Sequence, residues 1–199
     1  PRFWLLPHDM DTLFGQGDHS YRPDWEIFGY TDVPGLERLF DQDEIWKAYY
    51  GQYRELAQTV FAPENVNPLV DQLLASWVPQ SEIEGGNGIK QFVVERPRSI
   101  VYGGYPGATD DPQIPQEFAI DCDLTQVSGF HRTTSSVVGG GAIHGKANAI
   151  DTSSVLVNAV AADWSQRNGI WSLNNDAISL NPGVNRIVLR AFEGPNGSG

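Results

Sequence analysis

The sequence predicts an α+β chain of two domains, one helical and one all-β. Apolar residues recur at helical spacing through 43–101, while short alternating runs broken by turn residues fill 118–192. Between them lies a Gly/Pro-rich stretch, "GGYPGATDDPQIPQ", which reads as a linker over 104–117. The expected division is therefore 1–103, a linker over 104–117, and 118–199. A length of 199 residues, 40% of them hydrophobic and six of them Trp, suffices to bury real cores and argues against disorder.

Taken in order, "RFWLLP" at 2–7 reads as a short buried strand closed by Pro7. Residues 15–35 are loop-like. In 43–61, Ile45, Tyr49, Tyr53, Leu56 and Val60 mark one face of a helix, and the aromatic set Trp46, Tyr49, Tyr50, Tyr53 and Trp77 is expected to pack in a core. A second helix over 64–78 shows a stripe of Val66, Leu69, Leu73 and Trp77, widened by Val70 and Leu74, with Pro63 suited to its first turn. A third spans 88–101, with Pro97 expected to kink it and Glu95, Arg96 and Arg98 on a solvated face. Beyond the linker, β-like runs occur at 118–122, 142–147, 154–164, 169–173 and 185–192, the spacing of a small β-sandwich. Ile187, Leu189 and Ala191 alternate onto one face, and Trp171 is expected to fill the space between sheets.

The net charge of −12 and the acidity of both halves leave no basic footprint for nucleic acid, and they disfavour anionic membrane surfaces. No apolar stretch approaches the roughly 20 residues of a membrane span. Cys122 is the single cysteine, so no disulfide forms within the chain. The chain opens mid-strand at Pro1 without Met and stops on the turn "EGPNGSG", which reads as a piece cut from a longer protein, its β domain short of a final edge strand.

The opening run "FWLLPHDMDTLFG" ends on Asp9 and Asp11, two carboxylates that repel unless a cation or donors lie between them. Such a pair can hold a hard divalent ion such as Mg²⁺ or Mn²⁺ through its oxygens, while Phe14 anchors the loop and Gly15 turns the backbone away. An EF-hand is excluded, because Leu13 and Phe14 stand where Asp or Asn and Gly are required. A DxD phosphatase would need a parallel sheet that the pattern does not supply. No nucleophile–base–orienter triad is readable in the β half, where His131 and His144 are isolated in sequence.

The string resembles the end-of-strand motif of the CotH kinase-like family (spore coat protein H and relatives). The resemblance continues through "PGLERLFDQDEIWKAYYGQYRELAQTVFAPENVNPLVDQLLASWV" and "IKQFVVERPRSIV", which are similar to that family's helical tail and closing helix. It covers about the first 100 residues, and His8 departs from the aromatic that the family carries before its first aspartate. The resemblance implies the C-terminal part of an atypical protein-kinase-like fold, secreted or cell-surface and bacterial, that binds ATP with a divalent metal and acts on a protein acceptor. Asp9 and Asp11 would be its metal- and cofactor-binding pair. No catalytic residue is assigned, because the family's base lies ahead of Pro1, so the fragment alone is expected to be inactive.

Three pieces of the β half, Val155 to Asn158, Gly169 to Ser172 and Leu180 to Ala191, resemble the immunoglobulin-like accessory modules of bacterial exported proteins, with Ala159 in place of the usual turn glycine. That resemblance implies a spacer or adhesion role toward cell-surface or matrix proteins. The alternative to the kinase-like reading is a non-catalytic surface, adhesion or scaffold protein with a degenerate kinase-like half.

Overall fold

A computed structural model describes residues 10–16, 21–29, 34–105, 111–174 and 178–199, with the backbone alone at 10–12. The class is α+β: among the described residues the strands pair antiparallel throughout and follow the α-helices in the chain. The expected strand at 2–7 lies outside the described residues. The chain divides into two compact units, Pro1–Gly29 with Gln52–Gln113, and Tyr30–Gly51 with Ile114–Gly199.

The helices are α1 (Pro34–Phe40), α2 (Asp43–Gln58), α3 (Pro63–Leu74), α4 (Gln80–Glu84) and α5 (Ile89–Pro97). Pro63 sits in the first turn of α3, where its missing N–H costs nothing. After Pro97 the backbone widens into a π-helical turn over Arg98–Tyr102, closed by the Gly103 N–H donating to the Arg98 carbonyl at 2.7 Å. Val70, Ile83 and Ile89 form the core of the first unit, with Phe14, Val66, Leu74 and Val78 against it. α3 therefore buries the Val66–Val70–Leu74 stripe. The neighbouring stripe of Leu69, Leu73 and Trp77 is exposed, Trp77 at 72%, which corrects the expectation that Trp77 is core. Both stripes satisfy the same helical spacing, so only packing distinguishes them. Lys90 Nζ ties α5 to α3 and α4 through Asp71 at 2.7 Å and Glu84 at 2.8 Å. The Asp71 hydrogen bond, then that of Glu84, raises the Lys90 pKa, and Lys90 lowers that of Glu84.

In the second unit, Trp46 and Tyr50 are buried and the rings of Phe40, Trp46, Tyr49 and Tyr50 stack with centroids 4.9–6.1 Å apart. Tyr50 Oη donates to the Arg167 carbonyl at 2.7 Å, and the Arg167 guanidinium lies 5.1 Å from the Trp46 ring centroid. Lys47 Nζ donates to Ser153 Oγ and to the Glu193 carbonyl. The aromatic stretch around Trp46 thus packs with the β strands of its own unit.

Those strands are β1 (Ala119–Cys122), β2 (Gln126–Val127), β3 (Phe130–His131), β4 (Val137–Val138), β5 (Ile143–Lys146), β6 (Ser154–Val157), β7 (Val160–Ala161), β8 (Asp163–Ser165), β9 (Ile170–Ser172), β10 (Ile178–Ser179) and β11 (Leu189–Phe192). One sheet runs β1-β5-β9-β8 and another β11-β6-β7, with two-stranded pairs β10-β4 and β2-β3. Ile143 and Trp171 from the first, Val155 and Val157 from the second, and Val138 and Ile178 from a pair share one apolar cluster. Trp171, 1% exposed, is its largest member. The long apolar run at 154–164 is broken between β6 and β7 by a two-residue turn at Asn158-Ala159, both at positive φ (48° and 68°), and again at Ala162 ahead of β8.

Candidate functional site

Asp9 lies outside the described residues, as does His8. Asp11 falls within a 3₁₀ turn, Met10–Gly15, of which the backbone at Asp11 is described. What the structure supplies is the anchoring of that turn. Phe14 packs against Phe61 and Phe92, both with ring centroids 6.2 Å away. Gly15 follows at φ 70°, and a Cβ built there would meet Tyr21 Cδ2 at 2.9 Å and Phe92 Cδ2 at 3.1 Å. Two sequence features, an aromatic that anchors and a glycine that turns, have the roles their chemistry suggested.

One turn along α5 from Phe92 stands Glu95, a carboxylate the sequence placed on a solvated face. It is buried, 9% exposed. Tyr21 Oη donates to Glu95 Oε2 at 2.7 Å, and Gln91 Nε2 donates to Glu95 Oε1. Burial, then the hydrogen bond to Glu95, pushes the Tyr21 phenol well above its ordinary range. Burial and the Glu95 charge move Tyr105 the same way. Arg96 donates to the carbonyls of Pro23 and Trp25, and Gln113 binds Ser99 Oγ at 3.0 Å while accepting from the Ile27 N–H at 3.0 Å. Arg98 alone of the expected solvated trio is exposed. The loop after the acidic turn is held on α5 and the turn that follows it by polar side chains that are buried (Glu95, Ser99) or half-buried (Tyr21, Arg96, Gln113). Helical spacing could not reveal this, because their partners lie 71–89 residues away in sequence for most of these bonds.

The β unit carries a second feature. An open groove of about 570 Å³ lies on the four-stranded sheet. The register sets Asp121 opposite His144, His144 opposite Ser172, and Ser172 opposite Asp163, four polar side chains in one row across the strands. His144 is thus no longer isolated, but its Nδ1 pairs with the Gly141 carbonyl at 3.1 Å rather than with a carboxylate. Asp163 Oδ2 accepts from Asn174. Among the described residues no hydrogen bond links His144 to Ser172 or Asp121, so the row is not an assembled triad. Among them, too, no group of three His, Cys, Asp or Glu side chains is placed to hold a metal ion, and no helix is long and apolar enough to cross a membrane.

No protein-family model, curated protein or solved structure matches the chain.

Proposed function

We propose that the chain is the metal-bearing C-terminal part of a CotH-like, kinase-like domain joined to an immunoglobulin-like β module, from a secreted or cell-surface protein. The observation that carries this reading is the anchored turn: the Asp-x-Asp string leads into a Phe packed on the helical core and a Gly at left-handed φ. A metal site needs ligands on a fixed backbone, and Phe14 and Gly15 fix the segment that follows Asp9 and carries Asp11. Asp9 and Asp11 would hold Mg²⁺ or Mn²⁺. The ion, when bound, would neutralise ATP phosphate oxygens. The buried network on α5 supports the turn from behind through Tyr21 and Phe92, whose rings meet edge-on at 5.9 Å. The β unit, with its antiparallel sheets around Trp171, would act as a spacer or adhesion module.

The test is calorimetric titration of the intact chain with Mn²⁺, repeated on Asp9→Asn and Asp11→Asn. Removing one of two carboxylate ligands is expected to weaken binding by at least tenfold while circular dichroism and melting stay unchanged. Equal heats in the wild type and both variants would refute the metal site and favour the non-catalytic scaffold.

A further inference from the structure

The β1 edge of the four-stranded sheet, which no other described strand pairs, carries an inference independent of any metal at Asp9. Among the described residues β1 pairs with β5 alone, at the end of the order β1-β5-β9-β8. The Asp123 N–H donates to the Ala142 carbonyl at 3.0 Å, and the register continues as Asp121 opposite His144 and Ala119 opposite Lys146. In an antiparallel ladder a residue's N–H and C=O point to the same side, and the side alternates along the strand. Ala119, Asp121 and Asp123 therefore face β5, and Ile120 and Cys122 turn their backbone groups outward.

Side chains alternate in the other direction. Asp121 and Asp123 stand on the face that carries the groove. Cys122 packs against the apolar cluster, so Phe118 and Ile120 share its parity, yet they are 57% and 52% exposed. Sheet edges are commonly blunted by a lysine or a proline, and 118–122, "FAIDC", contains neither, its one charge being Asp121. Among the described residues no cation lies within ion-pair distance of Asp121 or Asp123, while the nearby Lys146 is engaged by Glu117 at 2.7 Å.

We infer that the outer edge of β1 accepts an extended, basic peptide strand in which cationic and apolar side chains alternate. Its backbone would pair with the outward groups of Ile120 and Cys122. Its cationic residues would lie beside Asp121 and Asp123, and its apolar ones would cover Phe118 and Ile120. Charge selects this occupant over a second copy of the chain, since two molecules of net charge −12 would repel.

The probe is an amidated heptapeptide alternating Lys and Val with fluorescein on its N-terminus, into which the intact chain is titrated while fluorescence anisotropy is read. A peptide of the same composition with its lysines in one block, and an alternating Glu/Val peptide, serve as controls. Binding of the alternating Lys/Val peptide is expected to exceed both by about tenfold and to weaken with salt. Ile120→Pro removes an outward N–H without touching the β5 ladder, a position where an edge strand tolerates proline, and it should cut the affinity by about tenfold. Asp121→Lys/Asp123→Lys should cut it further, and unchanged melting of each variant shows that the sheet is intact. Equal binding of the alternating and block peptides, full binding by Ile120→Pro, or no binding by the wild type would each overturn the inference. So would a self-associated wild type that Ile120→Pro makes monomeric, because the edge would then be taken by a second copy.

Discussion

Among the described residues Ala159, like Phe14 and Ser128, holds a positive φ without being Gly or Asn. Asn158 and Ala159 form the two-residue loop between Val157 and Val160, and both have positive φ, the geometry of a type I′ turn. Asn tolerates that region. Alanine does not, and its Cβ costs about 1–2 kcal/mol there. Replacing it by Gly removes that strain, and offsets it by about 0.4–1 kcal/mol of extra unfolded-state freedom. The methyl group is exposed, so no packing is lost. Ala159→Gly is therefore expected to stabilise the β unit by about 0.5–1 kcal/mol, a rise of about 2–6 °C in its melting temperature for a unit of this size. Differential scanning calorimetry measures it. Ala161→Gly is the matched control: it too is exposed, but it sits in β7 at ordinary extended geometry, where Gly costs about 0.5–1 kcal/mol. Opposite signs at the two positions are expected. A lower melting temperature for Ala159→Gly, or equal shifts at both sites, would refute the assignment of strain to the turn.

Two further outcomes follow from the first unit. Tyr21→Phe leaves the buried Glu95 with one side-chain donor fewer and is expected to destabilise the unit by about 1–3 kcal/mol in urea titration. The raised Tyr21 pKa means the folded state holds that proton more tightly than the unfolded one. Its contribution is complete below pH 10 and declines as pH rises beyond it, so wild type and Tyr21→Phe should converge in stability in strong alkali. Gly15→Ala places a methyl group against Tyr21 and Phe92 at left-handed φ, for an expected cost of about 1–3 kcal/mol and a change in near-ultraviolet circular dichroism from the displaced rings. Unchanged spectra and stability in that variant would show that the turn does not need its glycine.

Much of the β half could be read directly because its signals are local. "SVLV" followed by Asn and "GIWS" carry alternation and turn residues within a few positions, whereas "NRIVLRAF" forms a strand only over Leu189–Phe192, with Ala191 exposed rather than beside Ile187 and Leu189 on the core. The structure adds what the Asn does. Its N–H and Oδ1 bond the Val188 carbonyl and N–H, each at 2.8 Å, so Asn158 ties the hairpin to the segment entering β11. The hairpin Gln126–Val127/Phe130–His131 was not legible, since strands of two residues leave no period to detect. α4, five residues long, escaped for the same reason.

Local order was fixed by the chain itself: the class of each half, the helical stretches, the turn chemistry at Asn158-Ala159 and the anchoring pair Phe14 and Gly15. Each depends on residues a few positions apart, where φ/ψ preference and side-chain period act directly. Choices between equivalent local options were made by tertiary packing alone. It selected Val66, Val70 and Leu74 over Leu69, Leu73 and Trp77, drew Glu95 inward to meet Tyr21, gathered Trp46 and Tyr50 around Arg167, and set Asp121, His144, Ser172 and Asp163 in one row. The physical reason is that burial and hydrogen bonding reward whichever partner the fold brings near, and that partner's distance along the chain leaves no mark in the residues themselves.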